Sequence, residues 1–249
     1  MSKPLLTVTL NPALDLTGHI DQIQVGSVNV VKSGSLHPAG KGINVARVLR
    51  DLGANVAVSG ILGAGNQQAF RDLFAQCGIK DHFMAVPGDT RINVKMVEDN
   101  GEVTDLNFPG VAVADDELKE FEAHLLRQAE QYEYIVMAGS LPRGISAEAS
   151  RDLIAKLQQK GAKVLFDSSK HALVKGLEAK PFLIKPNEVE LAEWAGRPLD
   201  TEADLRAEAE KLRAAGITNV VISRGPDGVL WLADNEWWSA QPPRMEVVS

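Results

Sequence analysis

The chain of 249 residues contains one cysteine, Cys77, two tyrosines and an aromatic content of 5%. A lone cysteine excludes an internal disulfide framework and suits a reducing compartment. In the stretch 74–78 it is expected as a buried thiol at a helix end. No apolar run approaches the ~18 residues of a membrane-spanning helix, and residues 1–10 hold a short strand-like run where a signal peptide would place its core. A cytoplasmic protein is expected. Positive charge is scarce as well: 26 Lys and Arg against 33 Asp and Glu leave a net charge of −7. Nucleic acid and anionic membranes both require a basic field, so neither is an expected partner. An anionic small molecule would have to be held by a few placed cations. The five histidines (His19, His37, His82, His124, His171) show no metal spacing, and no Ser/His/Asp or Cys/His set stands out.

What is present is an ordinary globular composition, 45% hydrophobic and 24% charged, long enough for one sizeable α/β core. Short apolar runs at 5–10, 55–62, 134–138, 163–166, 182–184 and 219–223 read as strands buried on both faces. Helical periodicity separates them, which predicts a mostly parallel sheet with helices on both faces. Val45, Val48, Leu49 and Leu52 form one predicted apolar stripe; Leu205, Ala209 and Leu212 form another, ending at Gly216. Further helices are predicted over 115–131 and 146–160. The alternation breaks twice. Strand-like 90–98 and 102–108 flank Asp99-Asn100-Gly101, a strong hairpin signal, and 20–25 with 28–32 read as β-rich. Together they predict a small β-lid, from about 16–38 and 89–110, on a single domain spanning 1–249. Lids over phosphoryl-transfer sites exclude water; a plain hairpin at the sheet edge fits the same pattern.

Several segments carry polar chemistry. In AGKGINVA (39–46), Gly40 and Gly42 let backbone approach a ligand at a helix start, and Lys41 adds a charge. The spacing is not that of a Walker A loop, and a tight turn into a helix is equally compatible. In KPNEVE (185–190), Lys185 ends a strand, while Asn187 and Glu190 lie three apart on one helix face. An amide and a carboxylate so placed can organise a hydrated Mg²⁺ or simply cap a solvated helix. SRGPDG (223–228) is a glycine-bearing turn after a strand, able to cradle phosphate or merely to join two strands. Asp15 in NPALD follows the first strand, where ligands of open α/β sheets gather. Arg91, Asn93 and Lys95 alternate and should share one face of the lid. GAGNQQ (63–68) nearly matches a dinucleotide fingerprint, but Gln68 replaces its last glycine and no acidic residue follows in the required place.

Taken in order, NPALD, AGKGINVA, TRINVK, GSLPRG, FDSS, KPNEVE and SRGPDG resemble the ribokinase-like phosphofructokinase-B family over essentially the whole chain. The resemblance implies a ribokinase-like α/β fold with ATP and Mg²⁺ as cofactors. It implies an acceptor site from Asp15, Gly40, Lys41, Gly42 and Asn44, with Arg91, Asn93 and Lys95 reaching the acceptor's existing phosphate from the lid. It places Lys185, Ser223, Arg224, Gly225 and Gly228 on the nucleotide, and Asn187 and Glu190 on the metal. TRINVK with VTDLNFPG (103–110) is most similar to members that phosphorylate fructose 1-phosphate to fructose 1,6-bisphosphate; members acting on tagatose 6-phosphate or fructose 6-phosphate are the alternatives. A homodimer through the lid is a further expectation. The family's Gly-Ala-Gly-Asp run, which supplies an anion hole and the catalytic aspartate, is expected beyond Ser249. Residues 1–249 alone are therefore expected to lack turnover, as a truncated kinase or as a non-catalytic sugar-phosphate-binding remnant.

Overall fold

The computed structural model describes residues 4–243; the stretch 245–249, at whose end the catalytic segment was expected to begin, lies outside them. The chain enters the core as β1 (Leu5–Thr9), then leaves the main sheet for β2 (Ala13–Ile20) and β3 (Ser33–Ala39). It returns through α1 (Lys41–Asp51) to β4 (Val56–Gly63), α2 (Gln68–Gln76) and the short strands β5 (Lys80–Asp81) and β6 (Met84–Val86). β7 (Ile92–Glu98) and β8 (Val103–Leu106) form a hairpin. Alternating units follow: α3 (Asp115–Ala129), β9 (Tyr134–Ala138), α4 (Ala147–Gln159), β10 (Lys163–Asp167), α5 (Lys170–Glu178), β11 (Leu183–Ile184), α6 (Glu188–Ala195), α7 (Glu202–Ala214) and β12 (Asn219–Ser223). An antiparallel ribbon, β13 (Val229–Ala233) and β14 (Glu236–Ala240), closes the described chain.

These strands form two sheets. The larger runs β14-β13-β12-β11-β10-β9-β1-β4-β5, with β6 also on β4, and is parallel from β12 to β5. Buried on both faces, its central strands read as continuous apolar runs rather than alternations; every residue of β4 is buried. The chain builds outward from β1 through β4 first and only later through β9, so the strand order reverses between β1 and β9. At such a point the loops leaving the carboxyl ends of two neighbouring strands diverge and open a crevice, where ligands of doubly wound sheets bind.

Helices α3 to α7 pack side by side on one face through Phe121, Leu125, Leu153, Ile154, Leu157, Leu173, Leu191, Leu205 and Leu212. Helices α1 and α2 cover the other face over β1 and β4, through Ile43, Ala46, Phe70 and Phe74. Beyond α1 that second face continues as an apolar groove of about 420 Å³, lined by Leu5, Val45, Leu49, Val136, Leu165 and Leu183. This corrects the predicted α1 stripe. Val48 and Leu52 are exposed, Val45 and Leu49 are half-buried along the groove, and Ile43 and Ala46 form the packed face. The α7 stripe packs as predicted, and Gly216 follows its end with φ 111°.

The smaller sheet runs β3-β2-β7-β8. Its first two strands lie at 13–20 and 33–39, so of the expected β segments at 20–25 and 28–32 only Ile20 is in a strand and the rest is the connection between them. Gly26 turns there with φ 82°, and Asn29 bonds Gln24 through both ends of its amide, folding that stretch back on itself. Cys77 caps the end of α2 as expected, but half-buried rather than enclosed. No helix among the described residues is long and apolar enough to cross a membrane.

Candidate active site

The crevice predicted by strand order is occupied by a knot of polar contacts centred on Asn11, the second residue after β1. Its buried side-chain Nδ2 donates to Ser140 Oγ at 3.0 Å and to the Leu141 carbonyl at 3.2 Å, tying the loop after β1 to the loop after β9. Arg143 of the latter loop donates through Nε and Nη2 to the Gly110 carbonyl, at 3.3 and 3.2 Å. The lid therefore hangs from the sheet at its switch point.

Arg91, immediately before β7, makes the second tie. Its guanidinium donates to three backbone carbonyls: Asn11 (3.0 Å), Pro12 (3.3 Å) and Phe108 (3.2 Å). Burial holds its pKa below the usual arginine value, while the Asp15 carboxylate pulls it back up. A fork of five N–H groups suits such convergent carbonyls, so Arg91 clasps the lid, and only its remaining N–H groups could reach a phosphate.

The lid presents one polar and one apolar face. Asp15 on β2 stands in register with His37 on β3 and Asn93 on β7, and Asn93 Nδ2 donates to Asp15 Oδ1 at 3.2 Å. Asn93 Oδ1 is buried without a hydrogen-bond partner. An orphaned buried acceptor costs free energy unless a ligand supplies the donor. Lys95, two residues on, continues the polar face in register with Thr17 and Asp105. The opposite face carries Leu16, Leu36, Ile92 and Leu106, all exposed.

Across the crevice, Gly40 and Gly42 begin α1. A Cβ on Gly42 would stand 2.5 Å from Thr9 Oγ1, so only glycine lets the helix start pack on β1. Gly40, with φ 149°, turns the chain into it. Lys41 is thereby aimed at Asp167, at the end of β10, with Nζ 3.1 Å from Oδ1. Lys185, just past β11, reaches the other oxygen at 3.3 Å. Asn44 lies exposed in the first turn of α1.

The nucleotide-side expectations fare unevenly. Asn187 and Glu190 form a capping box on α6: Asn187 Oδ1 accepts from the Glu190 amide at 2.7 Å, and Glu190 Oε2 accepts from the Asn187 amide at 3.0 Å. Among the described residues no three His, Cys, Asp or Glu side chains cluster for a metal. Mg²⁺ that keeps its waters and takes phosphate oxygens needs only one or two carboxylates, and Glu190 Oε1 remains for that purpose. Arg224 is engaged by two carboxylates: it donates to Glu188 Oε1 at 3.1 Å and Glu202 Oε2 at 2.9 Å, and the Glu188 bond raises its pKa. Gly228 has a structural role, because at φ 88° a Cβ would strike the Ala240 carbonyl. Ser223 bridges to Asn187, holding the β12 turn beside the start of α6, and Gly225 opens that turn with space around it.

Sequence reasoning missed Asn11, Arg143 and Asp167 as site residues. Asn11 and Asp167 both end apolar strand runs with a polar side chain, a signal available in NPALD and FDSS.

A doubly wound sheet with a lid at its switch point, and with lysines gathered on a carboxylate between lid and helix starts, defines a small-molecule kinase of ribokinase-like fold. The pattern of the pfkB family of carbohydrate kinases matches residues 8–249. The chain belongs to that family. It is 53% identical over 249 residues to a 1-phosphofructokinase of Vibrio cholerae and 48% to one of Escherichia coli, covering all of this chain and 78% and 80% of theirs. Phosphofructokinase-2 of Escherichia coli in complex with fructose-6-phosphate superposes with a TM-score of 0.91 at 28% identity, covering 100% of this chain and 82% of that one. Its tetrameric inhibited form gives a TM-score of 0.90 at 29%, covering 98% and 81%.

The clasp yields a stability prediction. Hydrogen bonds from a charged donor contribute about 1.5–3 kcal/mol each, less where solvent competes. Arg91→Ala is expected to lower unfolding free energy by about 2–3 kcal/mol in a denaturant titration. Arg91→Lys should recover less than half of this, since an ammonium cannot span three carbonyls. A loss below about 0.5 kcal/mol for Arg91→Ala would show that the lid is held by other contacts.

Proposed function

We propose that the chain is the acceptor- and nucleotide-binding body of a kinase that transfers phosphate from Mg-ATP to fructose 1-phosphate, giving fructose 1,6-bisphosphate. The observation that carries this reading is the Asp15–Asn93 pair on the polar lid face, with an unpartnered buried acceptor. A carboxylate and an amide oxygen converging on one point suit vicinal sugar hydroxyls, which are donors. Lys41 lies on the acceptor side and Lys185 on the nucleotide side, with Lys95 available to an anionic group on the sugar. Ser223 and Gly225 line the nucleotide turn, with Arg224 and Gly228 supporting it from behind; Glu190 holds the hydrated metal. ATP supplies the phosphoryl group and Mg²⁺ offsets its charge. This chain's residues orient the acceptor hydroxyl and exclude water as the lid closes.

Identity favours fructose 1-phosphate over the alternatives. Relatives named 1-phosphofructokinase reach 48–53% identity, whereas the phosphofructokinase-2 structures stand at 28–29%. Binding tests the choice without requiring turnover. Titration calorimetry should give fructose 1-phosphate a Kd at least about tenfold below those of fructose 6-phosphate and tagatose 6-phosphate. Asp15→Asn should weaken fructose 1-phosphate by about 10- to 100-fold, the loss of one charge-assisted contact. Tighter binding of fructose 6-phosphate, or an unaffected Asp15→Asn variant, contradicts the reading.

The exposed leucines on the outer lid face support a homodimer formed by two lids. Leu16 and Leu36 are cross-strand partners, and Val94 with Leu106 extends the patch. Apolar patches of this kind are typically covered by a partner. Sedimentation should show a dimer that Leu36→Asp converts to monomer; an unchanged species in that variant places the interface elsewhere.

A further inference from the structure

Among the described residues, Asp167 is the one carboxylate at the end of the central strands that meets two lysines from different elements. It ends β10 in register with Ala138, and its side chain is only 15% exposed. Its backbone is fixed by the loop after β9: the Gly139 amide donates to the Asp167 carbonyl at 2.9 Å, and Ser168 Oγ donates to the Gly139 carbonyl at 3.0 Å. Lys41 arrives from the first turn of α1 and Lys185 from the end of β11, one on each carboxylate oxygen. The apolar groove lies against Asp167 and Lys185, with Ala138, Leu165 and Leu183 in its wall. Both lysines are nonetheless about half exposed, 49% and 43%. Each ammonium has three donors and uses one on Asp167, leaving the others for an incoming anion.

Left to themselves, two ammonium groups this close would repel each other and scatter into solvent, or would trap any passing anion. One largely buried carboxylate between them prevents both. It fixes the separation of the two ammonium groups and reduces the charge of the cluster from two positive to one. Elements on the two sides of the crevice, α1 toward the acceptor and β11 toward the nucleotide, are thereby joined through a single side chain.

We propose that Asp167 is a positioning residue that holds Lys41 and Lys185 as a preset pair, spanning acceptor and nucleotide sides, and restrains their affinity for free phosphate until both substrates are bound. This rests on the reading of Lys41 and Lys185 as facing the two substrates. When a transferring phosphoryl group enters, the unused N–H groups meet its oxygens, and Asp167 keeps the ammonium groups from following the anion in either direction. No bond to Asp167 forms or breaks.

The probe is inorganic phosphate, titrated calorimetrically in low salt. Asp167→Asn leaves both lysines without a counter-charge, so phosphate is expected to bind about three- to tenfold tighter, with a steeper loss on adding salt. Asp167→Glu, which keeps the charge, should stay within about twofold of the parent chain. A merely structural aspartate predicts the reverse: lower thermal stability for Asp167→Asn with phosphate affinity unchanged or weaker, and that result overturns the proposal. Should Asp167→Asn fail to fold, Lys41→Gln and Lys185→Gln decide the matter. The pair predicts comparable weakening of phosphate in both, and loss confined to one of them contradicts it. Failure of the broader kinase reading looks different: the parent chain would then bind neither fructose 1-phosphate nor ATP, whatever Asp167 does to phosphate.

Discussion

The Arg91 guanidinium is the contact on which the site's geometry depends. The carbonyls of Asn11, Pro12 and Phe108 lie in segments outside any strand, where no ladder partner satisfies them. A backbone carbonyl turned inward without a donor is costly, and one rigid fork supplies three such acceptors at once. Because these carbonyls belong to the exit from β1 and to the far end of the lid hairpin, the lid cannot shift without breaking the fork. Asn11 completes the joint by bonding the loop after β9. The orientation of Asp15 and Asn93 toward the crevice follows from this joint, since β2 and β7 are anchored at the ends that it fixes.

Much of this was legible in the sequence where one local rule dominated. Runs such as 134–138 and 219–223 are apolar throughout because parallel strands are buried on both faces, and the structure assigns strands there with the same bounds. The hairpin at Asp99-Asn100-Gly101 rests on turn chemistry and forms as read, with Gly101 at φ 87°. Legibility failed where a side chain's partner lies far along the chain. Arg91 alternates with Asn93 and Lys95, so periodicity groups them, yet its partners include a carbonyl 80 positions earlier. Arg224 stands in a glycine turn whose sequence gives no sign of Glu188 and Glu202, the distant carboxylates that it meets. Val48 and Leu52 complete a helical stripe by spacing, but the surface they would pack on is not supplied by the described elements.

The turn after β12 is braced by a chain of charges. Arg224 joins the starts of α6 and α7 through Glu188 and Glu202; Glu202 also accepts from Arg206, whose guanidinium lies over the Trp237 ring at 4.5 Å. The β12 turn, two helix starts and strand β14 are thereby held in one frame, and Glu190, bound in its own capping box, is held with them. The lid joint and the β12 turn thus use different physics, a backbone clasp at one and a network of ion pairs at the other.

The central claim is that ligand binds in the crevice between the polar lid face and the carboxyl ends of β1 and β9. Hydrogen–deuterium exchange with and without saturating fructose 1-phosphate tests it directly. Slower exchange is predicted at 13–20, 37–44, 91–97 and 139–143, with no change across 229–240. Protection confined to 229–240, or an unchanged lid under saturating ligand, would contradict it.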